Sequence, residues 1–406
     1  MLLIGLNLYK GREPKISYTI GSLAAELKRR EIAFDIADFD LNQSKEGQEL
    51  DFIFEGLQEF DLQSYKLIGI SVFSWSEFLI NPLINRLKEI NPLVKIVLGG
   101  PQITYATDQQ LQQFYPNADY FIKGYGERAL ADLAEGKIDK TIIVSSFDPH
   151  GLLSPYQAKI IELRQDQAMI RFETKRGCPY RCGFCAHFDK NFKRRVYEFD
   201  MERIEYDLEV IKKYNVKRVN VLDPVFNMKN HKQVLKTIAQ KGIPSQFTFQ
   251  TRFELMDEET ISLCQKINCH LEFGLQTVVP LEEKIINRPN NLPKVKKVMQ
   301  MVNFSGLSYE VSIIYGLPGQ TYETFLQTVD FLQTNGCYNI VMFPLGLLRG
   351  TPLDLMKDYY SMKTMTLSRF DTPVVVSSFS FDYSEWEKMH VFAQNYKTQL
   401  LCQKSL

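Results

Sequence analysis

The chain has little that would tie it to a membrane or to nucleic acid. In 406 residues no run approaches the ~20 consecutive apolar side chains that a bilayer-spanning helix needs. Its 48 basic and 48 acidic side chains cancel, and no basic tract stands out, so nothing supplies the positive surface that recruits nucleic acid. The opening MLLIGLNLYKG is apolar but short, without a charged n-region or a small-residue cleavage site. It is expected as a buried first strand. Histidine is scarce: His150, His187, His231, His270 and His390 are all there is. None precedes His150, so no imidazole from the early part of the chain can serve as a ligand. Seven cysteines, unevenly placed, argue against a disulfide framework and for a reducing compartment. A cytoplasmic protein is expected, sensitive to oxygen when handled in air.

What cysteine there is concentrates in one place. Cys178, Cys182 and Cys185 stand in TKRGCPYRCGFCAHF, a C-x3-C-x2-C spacing with Phe184 just before the last. Three thiolates on one short loop can hold three corners of a cubane iron–sulfur cluster. A loop this tight offers no fourth, so the fourth iron stays open to another ligand. A structural zinc site wants four protein ligands, and no further Cys or His sits at finger-like spacing. The other alternative is cysteines that merely lie close. Cys264, Cys269, Cys337 and Cys402 are dispersed and are expected as small buried side chains.

Up to residue 140, short apolar runs alternate with helical patterns. MLLIGLN, FDIADFD, LIGISVF, KIVLGG and YFIKG are the strand candidates, and Ile20, Leu23, Ala24 and Leu27 fall on one helical face. That alternation implies α/β architecture with a doubly wound, Rossmann-like parallel sheet. Such sheets bind ligands beyond the carboxyl ends of their strands. Residues 141–164 carry Pro149, Gly151 and Pro155 and are expected to be a linker. From 165 to 358, six strand–helix units follow, with strands near MIRFETK, RVNVLD, QFTFQT, HLEFGLQ, YEVSIIY and YNIVMFPL. Six units make a partial (β/α)6 barrel, open on one side. Barrel active sites sit at the carboxyl ends of the strands, and the cysteine loop follows the first of them. Residues 359–406 are expected as a short helical tail, with a helix from Ser384 to about Leu401.

The cysteine spacing, with LDPVFN, QTRFELMDEE, EFGLQTVVP and IIYGLPGQT at later strand ends, resembles the radical S-adenosylmethionine (SAM) enzymes. The resemblance implies a [4Fe–4S] cluster on Cys178, Cys182 and Cys185. It implies SAM chelating the open iron, and a 5′-deoxyadenosyl radical that takes hydrogen from an unactivated C–H bond. The cofactors carry that chemistry and the protein positions them. It places Asp223 and Asn227 near the SAM amino group. Arg252 falls opposite the SAM carboxylate, for which a planar guanidinium is well shaped. Glu272 and Gln276 are polar groups on the fourth strand, and Ile314 and Gly316 belong to the segment lining the adenine. Gln276 stands where many relatives carry Glu. An electron donor such as flavodoxin or ferredoxin is implied as a partner.

The first 140 residues, with FPLGLLRGTPL late in the barrel, resemble the subgroup in which a cobalamin-binding domain precedes the barrel. KIVLGGPQITYA followed by ADYFIKGYGERAL is the most specific part. The implied corrin cleft comprises Ser71, Ser74, Trp75, Gly99, Gly100 and Gly124. Glycines let backbone approach a bulky ligand. Glu127 opens the next helix, where the dipole favours a carboxylate. Many cobalamin proteins supply a histidine from a D-x-H-x-x-G motif as the lower cobalt ligand. This domain has none, and Trp75 is expected to cover that face with its indole. The alternatives are an interface role for Trp75 and a domain of this fold that binds no corrin.

The expected activity is C-methylation of a peptide or other natural-product precursor, with methylcobalamin as donor. The competing expectation is a corrin-free peptide epimerase in which Cys402 or Cys337 returns a hydrogen atom to a carbon radical. Cys337 stands at the wrong end of its strand for that. A non-catalytic SAM- or corrin-binding regulator has no use for an open cluster iron.

Overall fold

The computed structural model describes residues 1–187, 196–226 and 230–404, without the side chains of 401–404. Contacts divide the chain into two compact units. One comprises Met1–Ile170, Asp189–Val216 and Ser368–Asp371; the other comprises Arg171–Phe188, Lys217–Leu367 and Thr372–Leu406.

In the first unit, β1 (Leu2–Asn7), β2 (Asp35–Asp40), β3 (Leu67–Ser71), β4 (Lys95–Gly99), β5 (Tyr120–Lys123) and β6 (Ile142–Val144) form one parallel sheet. Their order is β2-β1-β3-β4-β5-β6. Alternate residues of β1 feed different cores: Leu2, Ile4 and Leu6 join one cluster and Leu3 the other. A strand buried on both faces has to be apolar throughout, which is why its sequence shows no alternation. Each such side chain contributes about 1.5–3 kcal/mol of burial. The helix Tyr18–Arg29 buries Ile20, Ala24 and Leu27, and Ser17 caps its start. Winding reverses between β1 and β3, which opens a crevice beyond their carboxyl ends.

The stretch 141–164 is not a free linker. It begins with β6, and its Leu152, Tyr156 and Ile161 are buried. A Cβ on Gly21 would stand 2.8 Å from Pro155. Spaced apolar residues outweigh the prolines and glycine that suggested a loose connection.

The second sheet runs in chain order through β7 (Met169–Phe172), β8 (Arg218–Val221), β9 (Gln246–Thr251), β10 (Cys269–Gln276), β11 (Ser308–Tyr315) and β12 (Ile340–Pro344). From β8 to β12 every pair is parallel. β12 and β7 are its two edges, which makes it a partial barrel. Along β10, Cys269, Leu271, Phe273 and Leu275 are buried, while His270, Glu272, Gly274 and Gln276 are half-buried on the opposite face. The tail adds an antiparallel pair, Lys363–Met365 with Val374–Ser377. A helix, Tyr383–Lys404, then buries Trp386 and Met389. No helix among the described residues is long and apolar enough to cross a membrane.

Candidate functional site

The cysteine loop leaves the carboxyl end of β7, and its root is held by Asp223. Thr174 N donates to Asp223 Oδ1 at 2.9 Å and Lys175 N at 3.2 Å, while Thr174 Oγ1 donates to Oδ2. Burial pushes this carboxyl up to about 6, against the pull of the Thr174 donors and Lys175. The far part of the loop is held by the chain that follows the helix Pro280–Ile285. Gly183 N donates to Ile286 O at 2.7 Å, Asn287 Nδ2 to Arg181 O at 2.8 Å, and Leu353 N to Gly183 O at 3.0 Å. Cys182 is buried, and Cys178 and Cys185 are partly so. Burial raises the Cys178 thiol, and that of Cys185 to about 11. Coordination to a metal would hold them as thiolates. Sulfurs that grip separate corners of a cubane stand further apart than the ligands of one ion. Among the described residues no group of three or more His, Cys, Asp or Glu side chains is gathered closely enough to hold a metal ion.

Two guanidinium groups lie beside this loop. Arg252, just past β9, sits 4.3 Å from the ring centre of Tyr180, donates to Pro289 O at 2.9 Å and pairs with Glu254 at 3.4 Å. Arg288 escaped the sequence reading. It is buried, donates to Gly274 O, and has Nη1 3.9 Å from Cys182 Sγ. Together they make the loop's surroundings cationic, which suits a thiolate cluster and a carboxylate ligand. At the end of β10 a bulge shifts the pairing with β11 between Gly274 and Gln276. Gln276 has φ +74, a left-handed conformation that costs a side-chain-bearing residue about 1–3 kcal/mol and gathers at functional sites. Glu272 lies deeper, in register with Gln250 and Glu310.

After β11 a second unforeseen network fixes the segment expected at the adenine. Gly316 N donates to Gln320 Oε1 at 2.7 Å, and Gln320 Nε2 donates to Ile314 O and to Glu282 Oε2, both at 3.2 Å. Glu282, fully buried, also accepts from Thr277 and Thr324. Gly316 has φ +82, and Trp386 lies 3.3 Å from where its Cβ would be. No spacing rule in the sequence marks this set, because its members meet only through the strand ends.

Two expectations are modified by the structure. Both oxygens of Asp223 accept from the loop root, so it anchors the cysteine loop. Cys337 is 1 % exposed, precedes β12 at its amino end and has its thiol pushed up to about 11 by burial. It cannot return hydrogen to a substrate at the carboxyl ends. Asn227 lies outside the described residues, as does the side chain of Cys402.

In the first unit, the residues expected to line a corrin stand at the carboxyl ends of β3, β4 and β5. Trp75 Nε1 donates to Leu6 O at 2.9 Å, fastening the chain after β3 to the end of β1. Its ring stacks on Phe73, centroids 4.4 Å apart and planes 6° from parallel. Ser74 shares that loop, half-buried. Gly100, after Gly99, has φ +104, and a Cβ there would stand 2.7 Å from Val72 O. Gly124 has φ +90, and its N donates to Thr104 Oγ1 at 3.0 Å. Glu127, buried, opens the helix Glu127–Ala134. Ser71 Oγ is buried without a hydrogen-bond partner, a hydroxyl that a ligand amide would satisfy. A glycine cradle with an orphan hydroxyl fits a bulky, amide-fringed corrin.

Comparison with known proteins agrees. Residues 172–332 match the model of the radical SAM superfamily and residues 17–134 that of the B12-binding domain. The chain carries the domain that defines the radical SAM enzymes. Its particular form is the one with a B12-binding domain ahead of the barrel, and its cofactors are a [4Fe–4S] cluster, SAM and cobalamin. The uncharacterized methyltransferase PH0819 of Pyrococcus horikoshii is 23 % identical over 65 % of this chain and 63 % of its own length. The cobalamin-dependent radical SAM methyltransferase TokK of Streptomyces tokunonensis is 21 % identical over 89 % of this chain and 57 % of its own. The chain thus spans less than two thirds of either relative. In fold it resembles TsrM of Kitasatospora setae, solved with cobalamin and a [4Fe–4S] cluster. The TM-score is 0.69 at 16 % identity, covering 95 % of this chain and 80 % of that one. OxsB with aqua-cobalamin gives 0.72 at 14 %, covering 97 % and 67 %.

Proposed function

We propose that this protein is a cobalamin-dependent methyltransferase that acts on an unactivated carbon of a peptide or small natural-product precursor. One observation carries the reading. A single chain holds an anchored three-cysteine loop flanked by guanidiniums and a glycine-lined crevice in a B12-binding domain. The name of TokK supports methyl transfer. When bound, the cluster with SAM supplies the radical that opens the C–H bond, and cobalamin supplies the methyl group.

The chain's own residues bind and orient. Cys178, Cys182 and Cys185 would hold the cluster, Arg252 would pair with the SAM carboxylate, and Ile314 and Gly316 would line the adenine. Ser71, Ser74, Trp75, Gly99, Gly100, Gly124 and Glu127 would hold the corrin. Thr248, Gln250, Glu272 and Glu310, none of them buried, would offer polar groups to a substrate. Flavodoxin or ferredoxin would deliver the electron, in a reducing compartment such as the cytoplasm.

The test is anaerobic reconstitution with iron, sulfide and hydroxocobalamin, gel filtration, and product analysis with a candidate precursor. Retained corrin, with both S-adenosylhomocysteine and 5′-deoxyadenosine formed, is the expected result. A chain that keeps no corrin, and gives 5′-deoxyadenosine with one solvent-derived hydrogen in the product, would be an epimerase.

A further inference from the structure

We propose that Glu385 and Ser380, which follow the second sheet, are positioning residues for SAM: they fix the turn that receives its adenine. The inference rests on the reading of Ile314 and Gly316 as neighbours of the adenine. It draws into the site a segment expected only as a tail.

The turn Gly316–Tyr322 joins β11 to the helix Tyr322–Thr334. Gly316 and Gly319 both have left-handed φ, +82 and +88. Glycine enters such conformations readily and leaves them as readily, so two of them make a soft turn unless something holds the backbone. Amides turned away from water need acceptors. From Gly316 to Tyr322 every amide finds one, and the acceptors come from two places. The turn and its own helix supply the first set. Gln320 Oε1 accepts from Gly316 N at 2.7 Å and from Leu317 N at 3.2 Å. Leu317 O accepts from Gln320 N at 3.0 Å, and Thr324 Oγ1 from Thr321 N at 2.9 Å. Pro318 has no amide. The other two are met from far downstream. Gly319 N donates to Ser380 Oγ at 2.9 Å, and Tyr322 N donates to Glu385 Oε1 at 2.8 Å.

These acceptors are themselves held. Ser378 Oγ stands 3.0 Å from Ser380 Oγ, and Glu385 N donates to Asp382 Oδ1 at 2.9 Å. Glu385 also sits at a helix N-terminus, where the dipole favours a carboxylate. Next to it, Trp386 packs on Gly316, with Cδ1 3.3 Å from where a Cβ would be. Its indole stacks on Tyr383 and His390, centroids 5.7 and 4.9 Å away. His390 Nδ1 in turn shares a hydrogen bond of 2.8 Å with the Tyr315 hydroxyl. The segment thus clasps the turn at Tyr315, Gly316, Gly319 and Tyr322. Glu385 and Ser380 act through the turn's backbone, and the adenine's orientation follows from them.

The measurement is calorimetric titration of the reconstituted full chain with SAM, and with 5′-deoxyadenosine as competitor. The competitor carries the adenine and ribose but lacks the amino and carboxylate groups. Glu385→Ala should keep its iron and weaken both ligands by the same factor, about tenfold, the scale of one charge-assisted hydrogen bond. Glu385→Gln, which keeps an acceptor oxygen, should bind both as the wild type does. Arg252→Ala should weaken SAM alone, which separates the two ends of the ligand. Wild-type affinities in Glu385→Ala would overturn the role, and so would a loss confined to SAM. If Glu385→Ala does not fold, Ser380→Ala decides. A paired loss of about threefold, the scale of one neutral hydrogen bond, supports the role, and unchanged binding of both ligands overturns it. A wild-type chain that takes up a cluster and binds neither ligand would instead sink the placing of adenine at this turn.

Discussion

Arg252 and Asp223 are both buried charges just past barrel strands, yet they face different tasks. Arg252 rests on the ring of Tyr180 inside the cysteine loop. Arg252→Ala should leave the cluster assembled and weaken SAM binding by about ten- to a hundredfold, the worth of a lost charge-assisted pair at about 1.5–3 kcal/mol. Calorimetric titration with SAM reads this directly, and an unchanged Kd removes Arg252 from the site. Asp223 is a matter of stability. Its folded pKa of about 6 lies above the ordinary 3.8, so protonation favours the fold. The stabilisation is complete below the ordinary value and is lost as pH rises through about 6. The shift bounds the effect at roughly 3 kcal/mol. Asp223→Asn should flatten the pH dependence of the melting temperature between about pH 4 and 6 in iron-free protein. An undiminished slope would show that another group titrates there.

At the scale of elements, the corrin crevice is a property of strand ends and the turns that follow them. The turn after β4 needs glycine at one position and tolerates more at its neighbour. At Gly100 the left-handed φ and the nearness of Val72 O both bar a side chain, whereas a Cβ on Gly99 would meet only Ile122 O, at 3.8 Å. Gly100→Ala should destabilise the chain by about 1–3 kcal/mol and release corrin on gel filtration. Gly99→Ala should leave the thermal midpoint unchanged. Equal melting of the two variants would mean that the turn adapts, and that the cradle is not set by backbone conformation.

At the scale of the whole molecule, the sheets and the cluster loop were legible because both rest on local signals. Strands buried on two faces leave unbroken apolar runs, and cysteine spacing is itself chemistry. The rest depended on residues distant in sequence. In INRPN, Arg288 sits between Asn287 and Pro289 and reads as a turn; it is buried because the β10 bulge, far back in the chain, presents Gly274 O to it. Glu282 is marked by nothing until Thr277, Gln320 and Thr324 surround it. Asp223, followed by proline, carries no sign in the sequence that Thr174 and Lys175 will meet its oxygens. The stretch 141–164 was misjudged by counting prolines and glycine over Leu152, Tyr156 and Ile161.

One bond pattern reaches further than catalysis. Gly183 gives its amide to Ile286 and its carbonyl to Leu353, while Asp223 secures the other end of the same loop. The loop's shape is thus written in bonds between protein groups. Small zinc domains collapse when their metal leaves, because the metal is what folds them. Here oxygen could strip the inorganic part and leave a vessel of the right form, ready to be refitted with iron and sulfide without the chain refolding. Air damage becomes a matter of maintenance, and one polypeptide can outlast many clusters.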